Sequence, residues 1–561
     1  MTVAAMLRAR AGDDRPGLRG ADDGRRWTWR EVVRECAVRA AWMDARRTPD
    51  RPLHVGVLLD NVPEMVFLLG GAALSGSVLV ALNHSRSATE LAGDALRVDC
   101  DLIVTQPRHA ELAADIGGPV LGIESAEYAE SLAPYELAND EGAVLPADDE
   151  ITEQTLLMLI FTSGTSGQPR AVRVTHRKVV VPGENLAGRM LDAESVVYCP
   201  MPLFHSGAIM AAYAPALSAG AELVLRGRFS ASGMLPDVRR YGCTYLHYVG
   251  KALSYVLATP AKDDDNDNPL KFAFGNEAAP LEQKAFGERF GCFVIDGYGS
   301  TETAISLSPD PFGPPGALGK LTEGIKVLDP DTGRECPPGR FDEAGRLLNG
   351  DEAIGELVNT AGLGLFDGYY NEEAPDRLRE GMFWSGDHAY ADENGYVFFA
   401  GRTADRLRVD GENFGAAQVE RVLAELPGVR QLAVYGVPDA AAGDQVMLAL
   451  ATDDFDPEAF AAYLRARADL SPKWPPRYVR VTRELPATAS NKILKRRLVQ
   501  DGWRTDDPVW WRPGRDLTYR RMTPEDVARL RTEFEQRGRR HVLDRGATPG
   551  PPQSRSGDPR S

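Results

Sequence analysis

Up to about residue 330 the chain alternates short apolar runs with longer stretches in which apolar and polar positions mix at helical spacing. HVGVLL (54–59), LIVT (102–105), AELVLR (221–226) and CFVIDGY (292–298) are the clearest runs, and runs of that length read as strands buried on both faces. Such strands, separated by amphipathic segments, predict parallel sheets covered by helices. Between Ile354 and Arg402 the texture changes to IGELVNT, GMFWSGDHAY and GYVFFAGR, short strands divided by Gly, Asp and Asn, with ADENG closing a hairpin. A small β layer therefore ends the large body. From about Thr403 the pattern restarts with a helix (AAQVERVLAEL), strands (QLAVYGV, QVMLALAT), a second helix (PEAFAAYLRARA) and RYVRVTREL, a compact domain of about a hundred residues. The remainder is Trp-rich and carries one helix start, with Thr523 as cap, Pro524 in the first helical position and Asp526 completing a capping-box pattern. Its last stretch, GATPGPPQSRSGDPRS, is expected to be disordered.

The expected fold class is thus α/β plus α+β. A large body spans 1–401, a smaller mobile domain spans 402–505 behind the polar linker GRTADR, and an extension covers 506–561. Residues 65–85 carry no formal charge and are long enough to span a bilayer. However, LSGS at 74–77 splits them into a helix-like half and the β-branched VLVAL, which predicts a helix followed by a buried strand and no membrane span. Peripheral membrane association stays open, and so does the oligomeric state. A formal charge of −17 excludes non-specific nucleic-acid binding, which needs a basic face. The six cysteines (Cys36, Cys100, Cys199, Cys243, Cys292 and Cys336) are scattered singly, without zinc-site spacing or a disulfide framework, as in a reducing cytoplasm. MTVAAMLRARAGDD lacks a signal-peptide core, so a cytoplasmic location is expected.

Candidate chemistry begins at LIFTSGTSGQPRAV (159–172), where an apolar run breaks into Gly, Ser and Thr. It is not a Walker loop, but Thr162, Ser163, Gly164, Thr165, Ser166 and Gly167 form a sequence whose N–H groups and hydroxyls suit a polyphosphate nest. At DGYGSTET (296–303), framed by Asp296 and Gly299, Tyr298 is placed to stack on a base, Thr301 to donate to a phosphate and Glu302 to hold Mg2+. In WSGDHAYADENGYVFFAGR, Asp387 suits the two hydroxyls of a ribose, and Arg402 the same sugar or its phosphate. In ATASNKILKRRL, Lys492 sits in a small-residue turn before a basic helix, where an ammonium can be delivered to a reacting phosphate.

In this order the four pieces resemble the adenylate-forming superfamily of acyl-CoA synthetases, non-ribosomal adenylation domains and luciferases, over roughly residues 25 to 500. RVDGENFGAAQVERVL, SNKILKR and the Trp-rich tail are most similar to the bacterial fatty-acid-transport-like synthetases. The resemblance implies ATP and Mg2+ as cofactors and coenzyme A as co-substrate, with Thr301, Glu302, His205 and Lys492 catalytic. It further implies that FGNEAAP, including Gly275, Asn276 and Glu277, lies along adenine and the acyl pocket, and that His205 in PLFHSGA holds the position of the family's aromatic or histidine gate; His205, Phe204, Met210, Phe274 and Ala304 are the pocket-lining candidates. Four positions depart from the family pattern. Arg170 and Ala171 replace the usual Lys and Gly, which retains a charge for phosphate contact with altered geometry. Asn491 replaces the Gly before Lys492, and the hinge position holds Ala404, followed by Asp405.

The implied reaction has two halves, adenylation of a fatty or aromatic acid with release of pyrophosphate, then transfer to coenzyme A after the smaller domain rotates near 402–406 and brings Gly411 to the acceptor. Two alternatives accompany it: a diazotase that activates nitrite and passes the nitrosyl unit to an aryl amine, and an inactive lipid-binding or scaffold homologue.

Overall fold

The computed structural model describes residues 1–543 except 140–149, 163–168, 250–251, 279, 309, 311, 315, 343–346, 403–405, 410–411, 441–442, 468–469, 471–472, 488–492, 515, 538 and 541–542. The chain divides into two compact units, one built from Met1–Pro338 and Gly355–Phe398, the other from Gly339–Ile354, Phe399–Thr488 and the residues from Ile493 onward.

The first unit has three sheets. One runs Val120–Gly122, Leu102–Thr105, His54–Leu58, Val78–Ala81 and Leu156–Thr162, all parallel, and ends on antiparallel Arg170–Thr175. A second runs Phe293–Asp296, Phe272–Asn276, Tyr245–Val249, Val196–Cys199, Glu222–Leu225 and Pro16–Gly20 in parallel, closed by antiparallel Arg26–Thr28. The third is antiparallel, in the order Ala317–Lys320, Tyr396–Arg402, Met382–Ala391, Gly355–Asn359, Ile325–Leu328, so the β layer expected after residue 354 also takes in two strands that precede it. The ADENG hairpin closes with Asp392 N–H donating to the Tyr396 carbonyl, Gly395 N–H to the Asp392 carbonyl and Tyr396 N–H to Asp392 Oδ1.

Residues 65–85 resolve as the sequence predicts. Helix Pro63–Ser75 ends at Gly76 in the left-handed region (φ 70°), and the buried strand Val78–Ala81 follows. No helix among the described residues is long and apolar enough to cross a membrane. That helix packs on Trp29–Asp44, which opens with a Thr28/Glu31 capping box, and the two backbones approach so closely at Gly70 that a Cβ there meets the Cys36 sulfur. All six cysteines are free.

The second unit is built on the sheet Gln431–Pro438, Asp444–Ala451, Tyr478–Thr482, Val509–Trp511, Arg520–Arg521. Helices Ala416–Leu423 and Pro457–Ala466 cover one face through Val419, Leu423, Phe460 and Leu464. Lys495–Asp501 and Pro524–Gln536 bring Leu498, Leu530 and Phe534 to a separate cluster with Trp503 and Trp511. The residues that the sequence sets apart from 506 onward thus contribute strands and a helix to this core. Thr523 and Asp526 form the capping box, with Pro524 at the first helical position. The tail from residue 544 lies outside the described residues.

Candidate functional site

The phosphate-nest sequence is carried by two antiparallel strands, Leu156–Thr162 and Arg170–Thr175, in which Thr162 faces Arg170. An apolar strand buried along Leu157–Ile160 fixes where the loop starts. Ser163, Gly164, Thr165, Ser166 and Gly167 lie outside the described residues. Arg170 is not idle: its guanidinium donates to Glu372 at 2.6 Å and Asp376 at 2.9 Å and lies 4.6 Å from the centre of the Tyr369 ring. Its two carboxylate partners hold its pKa above the usual arginine value, against the opposing effect of burial.

The turn after strand Phe293–Asp296 carries the second motif. Glu302 accepts a 2.9 Å hydrogen bond from the Tyr369 hydroxyl on Oε1, and its main-chain oxygen accepts from Lys178 Nζ at 2.8 Å. Lys178 is fully buried, so burial draws its pKa down to about 8. Thr301 Oγ1 is 3.0 Å from Ser206 Oγ at the start of the turn Ser206–Ala208, which places the motif beside His205. Thr303 adopts φ 55°, rare for a β-branched residue, and its hydroxyl lies 3.2 Å from both the Ser300 and the Thr301 carbonyls. Glu277 is also left-handed (φ 66°), so both motif turns hold non-glycine residues in costly conformations.

Asp296 joins the two turns. Its Oδ2 accepts from Ala278 N–H at 2.7 Å and Tyr248 hydroxyl at 3.1 Å, and burial pushes its pKa up to about 7 against those bonds. Gly275 has no room for a side chain, because a Cβ there meets the Tyr248 carbonyl. Asn276 Oδ1 is buried with no hydrogen-bond partner among the described residues, an acceptor matched to an exocyclic amino group such as adenine carries. Tyr298 donates to Asp387 Oδ2 at 2.7 Å, which links this turn to strand Met382–Ala391. Gly299 has open space around its Cα, as a backbone approached by a ligand needs. Arg402 ends strand Tyr396–Arg402, and Lys492 lies outside the described residues, as do Asn491, Ala404, Asp405 and Gly411.

His205 and Phe204 rings are 4.5 Å apart, Thr303 Oγ1 lies 3.8 Å from Met210 sulfur, and Phe274 packs beside Gly297. The segment after His205 then passes into a π-helical turn, Ile209–Tyr213, a feature that hydrophobic periodicity does not encode. Behind it, His84 stacks on His109 at 4.6 Å and edges onto Phe204 at 5.0 Å. Both imidazoles point Nε2 at Asp60 Oδ1 from 3.3 Å, while Arg108 pairs with Oδ2. Burial holds both histidines below their usual pKa, His109 at about 4, and positive charge from Arg228, joined at His109 by that of Arg108, acts in the same direction. Sequence reasoning missed Tyr369, Lys178 and Tyr248. A lysine followed by the apolar run VVV at 179–181 was the available signal for Lys178.

The AMP-binding enzyme family matches residues 7–370, and the AMP-binding enzyme C-terminal domain matches 418–492. Steroid-22-oyl-CoA synthetase of Rhodococcus jostii (strain RHA1) is 47% identical over 97% of this chain and 99% of that relative. Medium/long-chain-fatty-acid–CoA ligase FadD17 of Mycobacterium tuberculosis (strain ATCC 25618 / H37Rv) is 46% identical over 86% of this chain and 93% of its own length. The fold agrees with ATP-bound MatB from Rhodopseudomonas palustris, with a TM-score of 0.74 at 23% identity over 89% of this chain and 99% of that one. With more than half of its residues inside the first match alone and a relative aligned almost end to end, the chain belongs to the AMP-binding enzyme family.

Proposed function

We propose that the protein is an ATP-dependent, AMP-forming acid–CoA ligase whose acid is a large apolar carboxylate, a steroid side-chain acid or a medium- to long-chain fatty acid. The observation that carries this reading is the 47% identity to a steroid-22-oyl-CoA synthetase across both units. The donor set fits the nucleotide: Asn276 Oδ1 offers adenine an unclaimed buried acceptor, and Thr301 and Glu302 are fixed in one turn. Glu302 would hold Mg2+, which when bound neutralises charge on the phosphates. In the first half-reaction a carboxylate oxygen attacks the α-phosphorus of ATP, the bond to pyrophosphate breaks, and Thr301, the loop hydroxyls and Lys492 bind the oxygens on which charge accumulates. In the second, the coenzyme A thiolate attacks the acyl carbon and AMP leaves. Six free thiols fit a cytoplasmic location.

Both named relatives are called for CoA thioester formation, so nitrite activation gains no support from them. A scaffold role is opposed by the fixed Thr301 and Glu302. The test is pyrophosphate release and thioester formation with steroid side-chain acids, fatty acids of graded length, aromatic acids and nitrite. Coenzyme A-dependent thioester from the first two classes is expected, and Lys492→Ala is expected to slow adenylation at least about a hundredfold. Turnover confined to aromatic acids or nitrite rules the reading out.

A further inference from the structure

Arg170 occupies the position where the family resemblance implies a basic side chain contacting phosphate, yet here its donors face protein. Nε serves Glu372, the terminal nitrogens serve Asp376, and the plane lies over Tyr369. Arginine suits this arrangement and lysine does not, because a planar fork can bridge two carboxylates while stacking on a ring. Tyr369 is buried, and its segment runs beside strand Arg170–Thr175: Arg173 N–H donates to the Gly368 carbonyl at 3.1 Å and Tyr370 N–H to the Ala171 carbonyl at 2.8 Å. At its far end the Tyr369 hydroxyl holds Glu302 Oε1.

We propose that Arg170 and Tyr369 are positioning residues that set the Glu302 carboxylate at a fixed place relative to strand Arg170–Thr175, ready for the divalent cation of a bound nucleotide. The proposal rests on the reading of Glu302 as the cation's ligand. It assigns Arg170 no direct phosphate contact. The role acts through Glu302 alone, so disturbing either residue weakens the cation-dependent part of nucleotide binding and spares the rest.

Calorimetric titration of the full-length protein with ATP, once in EDTA and once at graded Mg2+, separates the possibilities without turnover, since no acid is present. Tyr369→Phe keeps the ring and removes the hydroxyl. Arg170→Lys keeps the charge and removes the fork. Each is expected to raise the Mg2+ concentration needed for half-maximal tightening about tenfold while changing Mg2+-free ATP affinity less than twofold. The double variant is expected to be no worse than the poorer single one, because both act on one carboxylate. Arg170→Lys that weakens Mg2+-free ATP binding tenfold overturns the proposal in favour of a phosphate ligand, and additive Mg2+ effects overturn it as well. Tyr369→Phe alone carries the test if Arg170→Lys fails to fold. A wild type whose ATP affinity ignores Mg2+ overturns the Glu302 reading itself, whereas Mg2+ dependence unmoved by the variants overturns only the link.

Discussion

Lys178 Nζ lies 2.8 Å from the main-chain oxygen of Glu302, 124 residues away in sequence, inside a protein core that leaves the lysine no exposure. The ammonium also reaches the Arg173 carbonyl at 3.4 Å and sits 5.6 Å from the centre of the Phe366 ring. A charge is thus buried to fix a backbone turn, with the carboxylate of the same residue held from the other side by Tyr369. Burying it is unfavourable unless its hydrogen bonds are made, so the pairing has a readable stability signature.

Lys178→Met keeps length and apolar contact but leaves the Glu302 carbonyl without its ammonium donor. The expected loss is about 1–3 kcal/mol, seen as a lower thermal unfolding midpoint, with weaker Mg2+-dependent ATP binding alongside. An unfolding midpoint equal to wild type, together with unchanged Mg2+ dependence, would show that the contact fixes nothing.

Asp296 provides a pH dependence with a definite sign. Burial raises its pKa to about 7 in the folded state, from 3.8 when exposed, so the folded protein holds a proton that the unfolded chain releases. Its contribution is complete below about pH 4 and is lost as pH rises through about 7. Asp296→Asn stays neutral and still offers an acceptor to Ala278 N–H and Tyr248. Relative to wild type, the variant should gain stability on going from pH 5.5 to pH 8.5 in thermal melts. A wild-type-to-variant difference that is flat across that range refutes the buried protonation.

Thr303 tests whether the left-handed turn behind Glu302 is strained. A left-handed conformation costs a non-glycine residue roughly 1–2 kcal/mol, offset here by the hydroxyl contacts to Ser300 and Thr301. Thr303→Gly gives up both the strain and the contacts and should melt within a few degrees of wild type. Thr303→Val keeps the branch, loses the hydroxyl and should fall by about 1–3 kcal/mol. A glycine variant less stable than the valine variant contradicts this balance.

Patterning read the architecture well where a residue's neighbours in sequence are also its neighbours in the fold. The apolar runs are sheet strands, Gly76 separates the helix from the strand within residues 65–85, and Thr523, Pro524 and Asp526 cap the last long helix. Of the site, the turn around Tyr298 to Glu302 was legible because an apolar strand ending in glycine announces an exposed turn. Tyr369 and Lys178 were not, since their meaning depends on contacts with Glu302 at separations of 67 and 124 residues. Arg170 shows the same limit: its charge is visible in sequence, but its partners Glu372 and Asp376 lie more than 200 residues on. The π-helical turn at Ile209–Tyr213 has no periodic signal because it adds a residue to an otherwise helical run.

The residues after 505 illustrate how a Trp-rich segment that looks appended can carry a core. Trp511 is 1% exposed, stacks on Tyr478 with ring centres 6.0 Å apart, and has Arg520 and Arg529 at 5.3 and 5.4 Å from its own ring. Both arginines pair with Asp526, so the indole is enclosed by an apolar cluster on one side and a fixed cationic pair on the other. Trp511→Ala removes one of the two tryptophans in that cluster and should cost the second unit about 3–5 kcal/mol. The cores of the two units are composed of different residues, so in calorimetry of the full-length protein one transition should move to lower temperature. Mg2+-dependent ATP binding, assigned to residues of the first unit, should persist at 25 °C. Trp511→Phe retains the stack on Tyr478 and should recover most of the loss. An unshifted calorimetric profile for Trp511→Ala would mean that the extension adds nothing to the domain it completes.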